Sequence, residues 1–76
     1  MAQRKNPEFS KELSRRIRAR MQYLGINTLR LARFSGVPRA TLYSIVNNTT
    51  DRVPQADTVA KIARGLGVST DSLINF

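Results

Sequence analysis

The stretch Asn27–Asn48 reads NTLRLARFSGVPRATLYSIVNN, and its spacing decides how the rest of the chain is arranged. Leu29, Leu31 and Ala32 give its first part an apolar face at helical spacing. Gly36 interrupts that pattern after about two turns of helix. Without a Cβ, this residue can adopt the left-handed backbone that a tight helix–helix turn requires. Val37 and Pro38 follow, and a second apolar set appears at Leu42, Ile45 and Val46. Leu42 and Ile45 share a face and can pack back onto the first segment. Ala32 is small enough for the second segment to cross close above it. The spacing predicts helices over 28–35 and 39–47. The outward face of the second one carries Arg39, Ala40, Tyr43, Ser44 and Asn47.

On the N-terminal side, Phe9, Leu13, Ile17, Met21 and Leu24 recur at spacings of four and three, one apolar stripe of a long helix. Asn6 before Pro7, or Ser10, can start it, and Gly25 supplies its C-cap. Lys11, Arg15, Arg16, Arg18 and Arg20 fall on the other faces. Two readings of that run stand side by side, a solvated helix face and a surface turned toward phosphates. On the C-terminal side, 48–53 (NTTDRV) is a polar loop closed by Pro54, with Asn48 where a left-handed residue often sits. A helix over 56–66 follows, buried through Val59, Ile62, Ala63 and Leu66 and capped at Gly67. Ser69 caps a short last helix over 70–75 that carries Leu73 and Ile74.

Charge is the strongest compositional signal. Thirteen Lys and Arg face five Asp and Glu, a formal charge of +8 that suggests a polyanionic partner. Residues 1–25 hold seven basic and two acidic residues, 26–54 hold four and one, and 55–76 hold two of each. The partner-facing charge therefore lies in the first two thirds, and the last third is expected to serve packing. The chain has no cysteine and no histidine. Disulfides, the usual zinc sites and the commonest general base are thereby excluded. The acidic residues are scattered and no Gly-rich phosphate loop occurs, so neither enzyme activity nor a cofactor or small-molecule ligand is expected. No run of about 18 apolar residues suggests a membrane span, and the first residues lack the apolar core of a secretory signal. A cytoplasmic protein is the expectation. An RNA-binding module would need an aromatic stacking surface that three Phe and two Tyr, mostly at packed positions, do not supply.

The stretch 27–48, with Pro54, the run Thr58–Leu66 and GVSTDSL at Gly67–Leu73, resembles the helix-turn-helix of the lambda-repressor-like family (Cro/repressor, Xre type) over roughly residues 10–74. Three features depart from that family's habit, one of them a slightly long loop at 48–53. Pro38 stands where a polar N-cap is usual, and Ser35 stands where an apolar residue usually precedes the turn glycine. The resemblance implies an all-α, compact five-helix DNA-binding domain over 10–76, with the helix-turn-helix at helices two and three. Residues 1–9 form a basic N-terminal arm and helix start. It also implies a prokaryotic or phage source, association with the nucleoid through DNA, and a small transcriptional regulator, repressor- or Cro-like, on a palindromic operator. An antitoxin-like module that binds DNA and a partner protein is the alternative.

Within that frame the helix 39–47 enters the major groove, where its N-terminal residues reach base edges. Arg39 suits a guanine, Ala40 a thymine methyl, and Tyr43 and Ser44 complete the base-facing set. Backbone contacts are expected from Arg4, Lys5, Asn27, Thr28, Arg30, Thr41, Asn47, Thr49 and Arg52. Arg4 and Lys5 also read as an ordinary solubilising terminus, and Asn27 and Thr28 as simple capping residues. One such helix reads only a few base pairs, so a homodimer, at least on duplex DNA, is expected. Val68, Leu73, Ile74 and Phe76 are the expected pairing residues, against the alternative that the last three fold inward.

Overall fold

A computed structural model describes residues 6–50 and 52–75. Among them the chain forms five helices: α1 (Pro7–Leu24), α2 (Thr28–Ser35), α3 (Arg39–Asn47), α4 (Ala56–Leu66) and α5 (Thr70–Ile74). The domain is all-α, as the spacing of apolar residues implies. Phe76, Arg4 and Lys5 lie outside the described residues.

The helix boundaries follow from local chemistry. Asn6, not Ser10, caps α1: its side chain accepts from the Phe9 N–H at 3.2 Å, and Pro7 takes the first helical position. Ser10 is instead buried, its hydroxyl bonded back to the Asn6 carbonyl at 3.0 Å. Asn27 caps α2 and Ser69 caps α5 in the same manner as Asn6. α5 ends at Ile74, one residue earlier than expected, because Asn75 leaves the helical region at φ −91°, ψ 86°. Asn48 closes α3 in the left-handed region at φ 52°, a conformation asparagine tolerates better than most side chains.

The core joins Leu13, Ile17 and Met21 of α1 to Leu31, Val37, Leu42 and Val46 of the central pair, and to Val59, Ile62, Ala63, Leu66 and Leu73. Two residues expected on apolar faces are open instead. Leu29 is 46% exposed, because it stands about 200° around α2 from buried Leu31. Leu24, at the frayed end of the α1 stripe, is also exposed. A close crossing of α2 also occurs one turn after Ala32. A Cβ built on Gly65 would lie 3.0 Å from both the Cβ and the backbone N of Ser35, so α4 crosses α2 where both residues are small. That crossing accounts for a serine before the turn glycine, since a larger residue there would hold α4 away.

Candidate nucleic-acid interface

The exposed side of the α2–turn–α3 unit is built by its turn. Gly36, at φ 76°, ends α2 with its N–H on the Ala32 carbonyl at 2.9 Å. Val37 then plugs inward, 4% exposed, while its N–H donates to the Ser35 hydroxyl at 3.2 Å. Ser35 thus satisfies the turn's own N–H and does not cap α3. Pro38 fixes the approach to α3 at φ −54° and gives no side-chain cap. The first bond of α3 runs from the Leu42 N–H to the Pro38 carbonyl at 3.0 Å. The N–H groups of Arg39, Ala40 and Thr41 therefore have no acceptor within the helix, and all three residues are exposed. The positive end of the helix dipole and a guanidinium coincide there, an arrangement suited to an anion.

The far end of α3 is clamped onto α1. The Ser14 hydroxyl, buried between the two helices, donates to the Ile45 carbonyl. Arg18 donates from Nη1 to the Val46 carbonyl at 3.2 Å. Leu42 and Val46 face the core, and Ile45 packs against it. Ala40, Ser44 and Asn47 consequently lie on the opposite side of the helix, with Arg39 and Tyr43 along one flank.

Most of the expected DNA-facing residues are open to solvent. Arg39, Ala40, Thr41, Tyr43, Asn47, Thr49, Arg52, Asn27 and Arg30 are exposed; Thr28 and Ser44 are half-buried. Tyr43, at 44% exposure, does not belong to the core. The Asn27 side chain is engaged in capping, its Oδ1 accepting from the Arg30 N–H at 2.9 Å. Ser44 is partly covered because the chain doubles back over it: the Thr49 N–H bonds its carbonyl at 3.1 Å. Thr41, Ser44 and Arg52 meet in one groove beside α3, with Gln55 and Thr58 on its other wall. Gln55 and Thr58 are not among the expected contacts. Their signal was Pro54, which ends the loop two residues before α4 and so places the start of that helix at the groove.

The α1 arginines are more engaged than a plain solvated face, because three of them bond the C-terminal carbonyls of other helices. Arg18 takes Val46, Arg20 takes Leu66 through Nε at 3.3 Å, and Arg16 takes Ser72 through Nη1 at 2.9 Å. The cause is general: the last carbonyls of a helix have no intrahelical donor and carry partial negative charge. Arg15 and Arg16 also hold Glu12, at 2.6 and 2.9 Å. Hydrogen bonds from Arg15 and then Arg16 hold the Glu12 carboxyl down from 4.5 to about 2, and Glu12 in turn raises Arg15. The cations left around the α2–α3 unit and its following loop are Arg30, Arg33, Arg39 and Arg52, all exposed.

Of the expected pairing residues Val68, Leu73 and Ile74 are described, and these three do not share one surface. Leu73 is 2% exposed and belongs to the core, because α5 must close the end of the domain between α1 and α4. Val68 and Ile74 are half-buried. Val68 lines a groove against α1 together with Ser72, whereas Ile74 stands on the other side of α5 from Ser72. No described helix is long and apolar enough to cross a membrane.

A family model described as helix-turn-helix matches residues 17–73, which span the C-terminal part of α1, all of α2, α3 and α4, and α5 up to Leu73. No curated protein and no solved structure matches the chain.

Proposed function

The chain belongs to the helix-turn-helix family of the Cro/C1 type, and on that premise we propose that it is a sequence-specific duplex-DNA binder acting as a small transcriptional regulator. The observation that carries this reading is the start of α3. Arg39, Ala40, Thr41 and Tyr43 are all exposed on a helix whose other face is locked into the core and whose far end is clamped to α1. A rigid helix presented in this way fits the major groove and holds its base-reading residues in register. Arg39 reads a guanine through O6 and N7, Ala40 meets a thymine methyl, and Tyr43 and Ser44 complete the base-facing set. Arg30, Thr28, Asn27, Thr41, Asn47, Thr49 and Arg52 hold the phosphates on either side, and Arg4 and Lys5 extend that hold from the arm.

The regulator acts in the cytoplasm by occupying an operator and blocking or recruiting polymerase. Two copies on an inverted repeat supply the affinity that one short helix cannot. Their pairing rests on Ile74 and Phe76, since Leu73 is taken up by the core. Selection of bound duplexes from a random pool is the direct test. Enrichment of an inverted repeat with half-sites about one helical turn apart is the expected result. Recovery of duplexes without a common sequence would sink the reading.

A further inference from the structure

A second surface lies on the flank of α1 turned away from α3. Arg18 reaches α3, whereas Arg16 and Arg20 reach α5 and α4, so the two flanks of α1 serve different neighbours. On the second flank α1 and α5 leave an open groove of about 390 Å³. Its floor is apolar, made by Ala19, Val68 and the edge of Leu73; Arg15, Arg20 and Tyr23 stand at its rim. Tyr23 is 78% exposed, and the Arg20 guanidinium lies over its ring at 4.8 Å.

We propose that this groove docks an acidic, amphipathic segment of a partner protein while α3 is on DNA. The floor accepts one or two apolar side chains, and the guanidiniums accept the carboxylates flanking them. Arg20 bonds the Leu66 carbonyl through Nε, which leaves its two Nη groups to meet a carboxylate, while Arg15, paired through Nε and Nη2 with Glu12, adds charge at the rim. The rim is also preorganised. Arg20 is tied to the Leu66 carbonyl and stacked on Tyr23, and Arg15 is held by Glu12. Little side-chain freedom is then lost on binding. The charge selects the occupant. A second copy seated here about a two-fold axis would set arginine against arginine, a repulsion that disfavours self-pairing. A nucleic acid would satisfy the guanidiniums but leave the apolar floor unused. The groove is open along its length, which suits a chain segment rather than an enclosed small molecule.

The probe is a fluorescent peptide of about twelve residues with Glu and Leu placed on one helical face. Its two controls carry Gln for every Glu or Ala for every Leu. Anisotropy and amide-shift mapping are read on the full chain, free and saturated with duplex DNA. The acidic peptide is expected to bind both forms, with shifts centred on Ala19, Arg20, Tyr23 and Val68. Both control peptides are expected to bind about tenfold more weakly or worse. Ala19→Glu places a carboxylate in the floor at an exposed helical site. It should weaken the peptide by about tenfold while leaving Tm and duplex binding unchanged. An affinity indifferent to Ala19→Glu would overturn the proposal, as would no binding at all. Displacement of the peptide by duplex, with shifts on α3, would show that it merely imitates DNA and would also overturn it. So would sedimentation in which Ala19→Glu dissociates a dimer, since the occupant would then be a second copy.

Discussion

Replacing Gly65 by alanine is expected to destabilise the protein, although alanine is the better helix former. In an open helix interior the change would stabilise by about 1 kcal/mol. Here the new methyl would sit 3.0 Å from the Ser35 Cβ, 3.0 Å from its N and 3.1 Å from its Cα. Two of those three atoms are backbone, so no rotamer change relieves them. α2 must move off α4, and overpacking of this kind costs about 1–3 kcal/mol. The balance is a net loss of about 1 kcal/mol, which in a domain of this size lowers Tm by about 4–8 °C. Thermal unfolding followed by far-ultraviolet circular dichroism measures it directly. Repeating the substitution in a Ser35→Gly background removes the Cβ contact and leaves the backbone ones. The penalty should shrink there without vanishing, and the double-mutant cycle reports the side-chain share. A Tm that rises on Gly65→Ala would refute the reasoning, because the crossing would then have room that the geometry denies.

Arg39→Ala should cost about 1–3 kcal/mol on the selected operator and relax preference at one base pair of each half-site, whereas Arg30→Ala should weaken all duplexes evenly. Equal losses on specific and non-specific duplex would make Arg39 a phosphate ligand. The operator affinity should fall with log salt at a slope of about −7, if two copies each commit Arg30, Arg33, Arg39 and Arg52 to phosphates or nearby bases. A slope near zero would contradict that. Glu12 should make stability fall as pH drops. Its folded carboxyl is lowered from 4.5 to about 2, so its contribution is complete above 4.5 and disappears as pH falls from there toward 2. Urea titrations of Glu12→Gln against the parent protein at pH 7 and pH 3 check this, and the gap between the two should narrow at the lower pH.

What could be read from the residues was whatever is settled within one turn of the chain. Asn27, Gly36, Asn48 and Gly67 each act on neighbours a few positions away, so the limits of α2, α3 and α4 were visible without a structure. The stripe Leu13, Ile17, Met21 was equally plain, since period alone places it. The outward face of α3 followed by subtraction from Leu42 and Val46. Contacts between residues far apart in the chain were hidden. Arg20 meets Leu66 and Arg16 meets Ser72, and no local rule says which carbonyl a long side chain will find. The Ser35–Gly65 crossing was hidden for the same reason. Ser14 was partly within reach: it falls between Leu13 and Ile17 on the buried side, where a serine needs a backbone acceptor, though nothing local says which one. Leu73 misled because an apolar residue near the end of a chain looks equally fit for a core or a partner.

The alternation of Arg16, Arg18 and Arg20 along α1 bears on how the domain comes apart. Each guanidinium is hinged to the same helix but latched to a different one, across 56, 28 and 46 positions of chain. Freeing α3, α4 or α5 alone breaks its latch to α1, so each of these bonds adds to the cost of partial opening. Unfolding is thereby pushed toward a single step, and amides in the latched helices should exchange with solvent at the rate of global unfolding. A reader of base edges gains from such behaviour, because the helix that carries Arg39 is either fully in place or absent.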